Sequence, residues 1–512
     1  KKIKIMEKKI IDFSNVEKIL KPIKRKGKKI VCCHGVFDLL HIGHLKHFKS
    51  AKKYGDILIV SITPDKFIQK GFDRPYFNSE QRMESLASIE ITDFVVLNNS
   101  ANAVDIIKKI KPDYYAKGQD YKNFKDDITD QIKKERLAVK KNGGKLVFTE
   151  DHTYSSSSIL NQFGDTYNLS QKKFIHKIKA KINLNNFNKQ INKLQDLKVL
   201  VIGEAIIDKY VFCETLGKSA KEPHLVLRNL REEEYLGGVL SIARNVSDFC
   251  KKITILSMLG QKKEYEKFIK KSLTKNIQSR FLYKYKSPTI VKKRYIEHIT
   301  NNKMLGIYML NDELLNKKDE SIFEKMILKE IKKHDVVIVS DYEHGLITKK
   351  LAKLLCKNSK FLALNAQVNA SNSGYHSIQK YKNVDCVVIN ETELRQELRD
   401  KNGKLEILIK KLAKMIAINN LVITRGSNGA TLYSSKDKKY FYCPAFASKV
   451  VDKVGAGDSM LSIMSILIKS NFKNIISIFL GSLAGAMSVS EMSNKVPIKK
   501  TKLLKYFNHI LK

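Results

Sequence analysis

Short apolar runs recur along this chain, and most are followed by a stretch with helical spacing. Lys29–His34, Asp56–Ile62, Phe94–Leu97, Asp113–Ala116 and Lys145–Phe148 read as strands. Ile42–Tyr54, Glu80–Ile89, Ala103–Ile110 and Ile128–Lys141 read as the helices between them. Such alternation restricts the fold, because parallel strands need long crossovers and the crossovers cover both sheet faces. The pattern resumes at Lys198–Gly203. It continues through Ile253–Ser257, Val336–Ser340, Phe361–Leu364, Cys386–Ile389 and Leu421–Thr424, with short β segments expected around Tyr210–Phe212 and Leu225–Leu227. A chain of 512 residues has room for two such units. The reading is therefore an α/β protein with an N-terminal extension over 1–27, a Rossmann-like parallel sheet over 28–163, a helical linker over 164–195 and a second α/β domain over 196–512. In the linker, Ile175, Ile178 and Ile182, then Phe187, Ile191 and Leu194, fall at helical spacing, which predicts an amphipathic connector packed on its own domains.

Lys and Arg number 95 against 52 Asp and Glu, a net charge of +43. Charge of this size raises nucleic acid or an anionic membrane as a partner. The lysines are spread along the chain, however, and no aromatic residues interleave with a basic patch, so neither partner is expected. Seven cysteines are too few and too irregular for a disulfide framework, and none has zinc-ligand spacing. No apolar run is long enough to span a bilayer, and the basic start Lys1–Lys9 is not followed by an apolar signal core. The expected setting is cytoplasmic.

The densest motif is His34-Gly35-Val36-Phe37-Asp38-Leu39-Leu40-His41-Ile42-Gly43-His44. A buried strand ends at Gly35 and a helix begins near Ile42, so the turn lies where open parallel sheets bind ligands. Unpaired N–H groups at that helix start attract phosphate. His41 and His44, three residues apart, can face one ligand and donate to charge developing on an attacked phosphorus.

This stretch resembles the cytidylyltransferase-like nucleotidyltransferases, with their G-x-F-D-x-x-H-x-G-H motif. Lys70-Gly71-Phe72-Asp73-Arg74-Pro75 is similar to that family's basic substrate loop, and Glu80-Gln81-Arg82-Met83 to its E-x-R segment. Lys117-Gly118-Gln119-Asp120-Tyr121 and the Tyr154–Ile159 serine cluster also have counterparts there. The resemblance implies that His41 and His44 stabilise the transferring group. It makes Gly35, Phe37, Lys46, Ser156, Ser157 and Ser158 nucleotide ligands, and Lys70, Arg74, Lys117 and Asp120 substrate ligands. His41-Ile42-Gly43-His44 also matches a class I aminoacyl-tRNA synthetase motif, but no K-M-S-K-S-like loop or anticodon-binding bundle accompanies it.

Near the far end, Gly455-Ala456-Gly457-Asp458 precedes an apolar helical stretch. Small residues at a helix start can hold a γ-phosphate, and Asp458 can accept a proton from an attacking hydroxyl. Residues 196–512 resemble the ribokinase-like sugar kinases, which carry a small β lid. The matching segments are Gly203 to Asp208, Leu236-Gly237-Gly238 with Ala243-Arg244-Asn245, Ser340-Asp341-Tyr342 with Gly345, Asn390 to Glu393, and Thr424-Arg425-Gly426-Ser427-Asn428-Gly429. The resemblance makes Asp458 the general base. It makes Asp208, Gly237, Gly238, Ser241, Asn245 and Asp341 substrate residues. Asn390, Glu393, Thr424, Gly426, Gly429, Gly455, Ala456 and Gly457 become nucleotide residues, with Glu393 organising Mg²⁺ through water. Ser241 and the run Leu362 to Gln367, with Asn365, depart from common family patterns.

The whole chain resembles the bifunctional heptose-phosphate kinase/adenylyltransferases, with the domain order reversed. That implies ATP-dependent phosphorylation of a sugar or sugar phosphate, followed by nucleotidyl transfer from ATP or CTP with release of pyrophosphate. The alternative is a nucleotidyltransferase for a sugar or polyol phosphate, such as glycerol 3-phosphate, whose kinase-fold domain only binds. By fold analogy the segment Tyr210–Leu230 can serve a homodimer.

Overall fold

We describe a computed structural model over residues 9–68, 74–119, 131–149, 167–375 and 377–511, without the side chains of 184 and 185. The chain divides into two compact units, 1–168 with 504–512, and 169–503. Among the described residues no helix is long and apolar enough to cross a membrane.

The first unit carries a six-stranded parallel sheet. Its strands are β1 (Ile10–Ile11), β2 (Ile30–Gly35), β3 (Ile57–Ile62), β4 (Phe94–Leu97), β5 (Tyr114–Gly118) and β6 (Lys145–Thr149), in the order β1-β4-β3-β2-β5-β6. The sheet is buried on both faces, as parallel sheets require. Cys32 and Cys33 show it directly, since each packs into a different core cluster on either side of β2. Residues of the N-terminal extension add to this fold. Ile10 and Ile11 pair with Val95 and Val96 of β4, and the helix Val16–Arg25 buries Val16 and Leu20 in the same core.

Arg82, in the helix Ser79–Ala87, fixes the loop that leaves β2. It is 1% exposed, and its guanidinium donates to the carbonyls of Val36 (2.6 Å), Thr63 (2.8 Å) and Phe77 (3.1 Å) and to Asp65 (2.6 Å). One side chain thus joins the ends of β2 and β3. Burying a guanidinium is tolerable only because nearly all its donors are used.

The second unit has a nine-stranded sheet. Its strands are β7 (Lys198–Gly203), β10 (Lys252–Gly260), β11 (Ile277–Lys284), β14 (Val336–Asp341), β15 (Leu362–Ala366), β16 (Val384–Asn390), β17 (Ile418–Thr424), β18 (Ala430–Ser434) and β19 (Lys439–Cys443). Their order is β11-β10-β7-β14-β15-β16-β17-β18-β19, with every neighbouring pair parallel except β17–β18 and β18–β19, so that β18 alone is reversed. A separate four-stranded sheet, ordered β13-β12-β8-β9, holds β8 (Ala205–Lys218), β9 (Leu225–Gly238), β12 (Ile290–Glu297) and β13 (Lys303–Met309). The expected short segments at 210–212 and 225–227 are therefore parts of two long antiparallel strands. β11, β12, β13, β18 and β19 were not legible as apolar runs, because polar residues interrupt several of them.

The connector forms the helices Leu169–Lys179 and Leu184–Lys193, and both belong to the second unit. Phe174 packs on Phe446 and Phe479, and Phe187 packs on Phe472.

Arg82→Met should destabilise the first unit by about 3 kcal/mol, since charge-assisted bonds to three buried carbonyls are lost together. Chemical denaturation with hydrogen exchange resolved over 30–63 measures this. An unchanged protection pattern there would contradict the role given to Arg82.

Candidate active sites

In the first unit, β2 ends at Gly35 and the helix Ile42–Lys52 starts seven residues later. Phe37 adopts a left-handed backbone (φ 48°) and folds its ring back over Gly35, where an added Cβ would meet the ring at 2.9 Å. Phe37 also packs edge-on against His44, with ring centroids 5.2 Å apart. His41 is the N-cap of the helix, and its Nδ1 accepts the N–H of Gly43 at 3.1 Å. The His41 and His44 rings stack with centroids 3.9 Å apart. The structure thus brings Gly35, Phe37, His41 and His44 together. Lys46 is exposed on the same helix.

Two other expected ligands have partners within the protein. Arg74 is buried, and its Nε lies 2.8 Å from the buried carboxylate of Asp38. Asp38 also accepts the N–H of Phe77 at 3.0 Å. Lys117 is nearly buried and lies 3.0 Å from Glu135, which also accepts the Tyr115 hydroxyl at 3.1 Å. These pairings put Arg74 and Lys117 in the frame of the loops. Lys70, Asp120, Ser156, Ser157 and Ser158 lie outside the described residues. Sequence reading missed His34, whose ring nitrogens meet Ser61 (3.1 Å) and Thr63 (3.2 Å). Burial, reinforced by Lys117, pushes its imidazole down to about 3, so it stays neutral.

In the second unit, the helix Ala456–Lys469 starts at Gly455, which is left-handed (φ 85°). A Cβ at Gly455 would lie 2.0 Å from Asn494 Oδ1, so only glycine fits. The first-turn N–H groups of Ala456, Gly457 and Asp458 have no acceptor within the helix. Asp458 is 8% exposed, and both its carboxylate oxygens accept the Tyr342 hydroxyl, at 3.0 and 2.9 Å. Burial pushes the Asp458 carboxyl up to about 6, Asp208 adds to the rise, and Tyr342 and Lys292 oppose it.

Asp208 sits on β8 against Gly237, where an added Cβ would lie 2.3 Å from Asp208 Oδ2. Gly237 thus makes room for this carboxylate, and Arg294 of β12 holds it at 2.5 Å. Lys292 is opposite Asp208 in the β8–β12 register. Its ammonium is 6% exposed and lies over the rings of Tyr308 and Tyr342. Burial pulls it down to about 8, against the attraction of Asp208, Glu204 and Asp458. Sequence reading missed Lys292 and Arg294 because β12 was missed. The apolar pairs Ile290-Val291 and Tyr295-Ile296 on either side of Lys292-Lys293-Arg294 were the available signal.

Two expected substrate ligands have partners within the protein. Asp341 accepts the Tyr381 hydroxyl (2.6 Å) and the N–H of Glu343, and pairs with Lys380 at 2.7 Å. Asn245 donates to Ser459 at 3.1 Å and accepts the N–H of Ile498 at 3.0 Å. Both side chains thus have partners inside the protein. Ser241 is buried in its helix, Val239–Val246, and Gly238 (φ 56°) passes close to the Glu204 carbonyl.

Asn390 and Glu393 form a capping box at the helix Glu391–Leu398. Glu393 Oε2 accepts the N–H of Asn390 (2.8 Å) and Oε1 that of Val368 (3.2 Å). Burial still raises this carboxyl to about 7, and the charge of Asp458 contributes. Thr424, Gly426 and Gly429 shape the turn between β17 and β18; Gly426 (φ 55°) and Gly429 (φ 80°) are left-handed. Asn365, at the end of β15, donates to the Val388 carbonyl at 3.0 Å and lies 3.6 Å from the Gly457 Cβ position.

The family model for pfkB carbohydrate kinases matches residues 196–501. The chain belongs to the pfkB carbohydrate kinase family. A cytidylyltransferase-like model matches 32–162, so the transferase-type region precedes the kinase region. Two curated proteins called bifunctional protein HldE are similar. The one from Campylobacter jejuni subsp. doylei is 28% identical over 303 residues, 59% of this chain and 62% of that protein. The one from Nitratiruptor sp. is 41% identical over 128 residues, 25% of this chain and 28% of that protein. The chain thus spans about three fifths of the Campylobacter protein's length. Among solved structures, an Arabidopsis thaliana ribokinase complexed with ribose and ATP is 17% identical, with a TM-score of 0.46 over 62% of this chain and 99% of that one.

The cap at His41 makes a spectroscopic prediction. Because Nδ1 accepts the Gly43 N–H, the neutral ring must carry its proton on Nε2. Long-range ¹H–¹⁵N NMR should find that tautomer for His41, and the opposite tautomer would contradict the cap.

Proposed function

We propose that this chain is a bifunctional enzyme of nucleotide-sugar synthesis. The second unit phosphorylates a heptose-like sugar or sugar phosphate from ATP, and the first transfers a nucleotidyl group from ATP or CTP to a sugar 1-phosphate. The observation that carries the reading is Asp458, buried at a glycine-opened helix start, bonded by the Tyr342 hydroxyl and within electrostatic reach of a second carboxylate, Asp208. A buried base near neutral range suits proton removal from an alcohol.

In the kinase step, Asp208 and its Arg294 partner orient acceptor hydroxyls. Asp458 takes the proton of the attacking hydroxyl. Its oxygen bonds to the γ-phosphorus as the bond to the bridging oxygen breaks and ADP leaves. The N–H groups of Ala456 and Gly457 carry the charge that builds on the phosphoryl oxygens. Lys292 adds a cation beside the reacting atoms. Mg²⁺ would supply charge neutralisation at the nucleotide phosphates. Among the described residues no group of three or more ligating side chains could hold a metal. Glu393 fits contact through water, because backbone N–H groups already occupy part of each oxygen. In the transfer step, His41 and His44 donate to the attacked α-phosphorus group while the sugar phosphate oxygen displaces pyrophosphate. We place both reactions in the cytoplasm, where the nucleotides are made.

The test is ³¹P NMR of the chain with Mg²⁺, ATP, CTP and a panel of sugars and sugar phosphates. Asp458→Asn should cut sugar phosphate formation by about 10²–10⁴-fold and leave pyrophosphate release from a supplied 1-phosphate intact. His44→Ala should do the reverse, by about 10²–10³-fold. Pyrophosphate formation with no ATP-dependent phosphorylation of any acceptor, unaffected by Asp458→Asn, would leave the second unit as a binding domain.

A further inference from the structure

Asp458 does not stand alone in its cleft, because one phenol hydroxyl spans both its oxygens. The arrangement rests on how firmly Tyr342 is held. Its N–H donates to Glu204 Oε2 at 3.0 Å, and its carbonyl accepts from the side-chain amides of Asn369 (2.9 Å) and Asn372 (3.1 Å). Its ring is 4% exposed, with the Lys292 ammonium 5.3 Å from its centroid and the His344 ring parallel to it at 6.3 Å. Such a side chain is a fixed donor, since moving it would break several bonds in a buried region at once.

We infer that Tyr342 is a positioning residue whose hydroxyl holds Asp458 as an oriented carboxylate, ready to take the acceptor's proton. The inference rests on the kinase reading of this site. A carboxylate has about four acceptor positions, so the phenol leaves room for the sugar hydroxyl. The donor is also the correct one. Burial drives the Tyr342 phenol well above its usual range, so it keeps its proton and can only donate when beside a carboxylate.

The groups acting on Asp458 come from several elements. Asp208 from β8 and Glu393 from the helix Glu391–Leu398 disfavour its charge. Lys292 from β12 and Tyr342, just past β14, favour it. Glu204, just past β7, anchors Tyr342, and Arg294 neutralises Asp208. Removing the phenol hydroxyl removes one of the two favourable influences and keeps both unfavourable ones. The carboxyl must then lose its proton at higher pH.

Tyr342→Phe preserves the ring and its packing. In the full chain we expect the acid limb of kcat for sugar phosphorylation to move up by about one pH unit, the scale of a hydrogen bond to a charged group. At pH 6 kcat should fall by up to about tenfold, and at pH 8 by less than about twofold. An equal loss at every pH would reduce Tyr342 to a structural residue. A second readout does not need turnover: infrared difference titration of the Asp458 carboxyl band, assigned by its loss in Asp458→Asn. Its midpoint should rise by about one unit in Tyr342→Phe, and an unmoved midpoint overturns the inference. If the wild-type chain phosphorylates no acceptor, the kinase reading fails while the infrared midpoint still decides the role of Tyr342. If Tyr342→Phe does not fold, 3-fluorotyrosine placed at 342 gives a stronger donor and should lower the midpoint; no movement there also overturns it.

Discussion

The second unit is organised around carboxylates taken out of water. Glu204, Asp208, Asp341 and Asp458 are all buried: Glu204 and Asp341 at or just past strand ends, Asp208 on the adjoining four-stranded sheet and Asp458 in the first turn of the helix Ala456–Lys469. Unpaired, such groups would take up protons or unfold the region. Each instead has a specific counterpart: three backbone N–H groups for Glu204, Arg294 for Asp208, Lys380 and Tyr381 for Asp341, and Tyr342 for Asp458. This requirement explains much of the local architecture. Glu204 bridges the backbone of 342–346, which sets the partner of Asp458, and β12 must lie beside β8 to bring Arg294 to Asp208.

The four-stranded sheet is also tied to the helix start that follows Asp452. Asp452 accepts the Tyr210 hydroxyl at 2.5 Å, pairs with Lys303 of β13 at 2.5 Å, and accepts the N–H groups of Val454 and Ser493. Those partners hold this carboxyl below its usual range despite burial. The loop that presents Gly455–Gly457 is therefore anchored to the same sheet that supplies Asp208, Lys292 and Arg294. Residues that would touch acceptor and residues that would touch phosphate share one polar frame. The first unit solves a smaller problem with the same means. Buried Arg82 and the Asp38–Arg74 pair fix the loops flanking the stacked histidines.

Much of this was legible in the sequence where burial leaves an apolar run. β2 to β6, β7, β10 and β14 to β17 all begin or end close to their apolar stretches. Legibility failed where basic residues interrupt a strand or its side chains stay exposed. β12 carries Lys292, Arg294 and Glu297 between apolar residues, and β13 exposes nearly every side chain, so neither stands out from the surrounding lysines. A two-residue strand such as Ile10–Ile11 has no pattern at all. At the sites, spacing singled out Gly35, His41, His44, Gly455 and Asp458, and the close packing at Gly35 and the left-handed turn at Gly455 account for the two glycines. It could not tell a ligand from a tie for Asn245, Asp341, Arg74 and Lys117. Their residue types serve either purpose, and their partners in the fold are distant in sequence.

The central claim is that the phosphorus delivered at Asp458 becomes the sugar-bound phosphorus of the nucleotide sugar. The most direct test follows the atom. The chain is incubated with Mg²⁺, CTP, γ-¹⁸O-labelled ATP and the acceptor sugar, and the isotope shift is read by ³¹P NMR. The account predicts the shift on the phosphorus attached to the sugar carbon, first in the sugar phosphate and then in the nucleotide sugar. A nucleotide sugar whose sugar-bound phosphorus is unlabelled, with the isotope confined to inorganic phosphate or unreacted ATP, would contradict it.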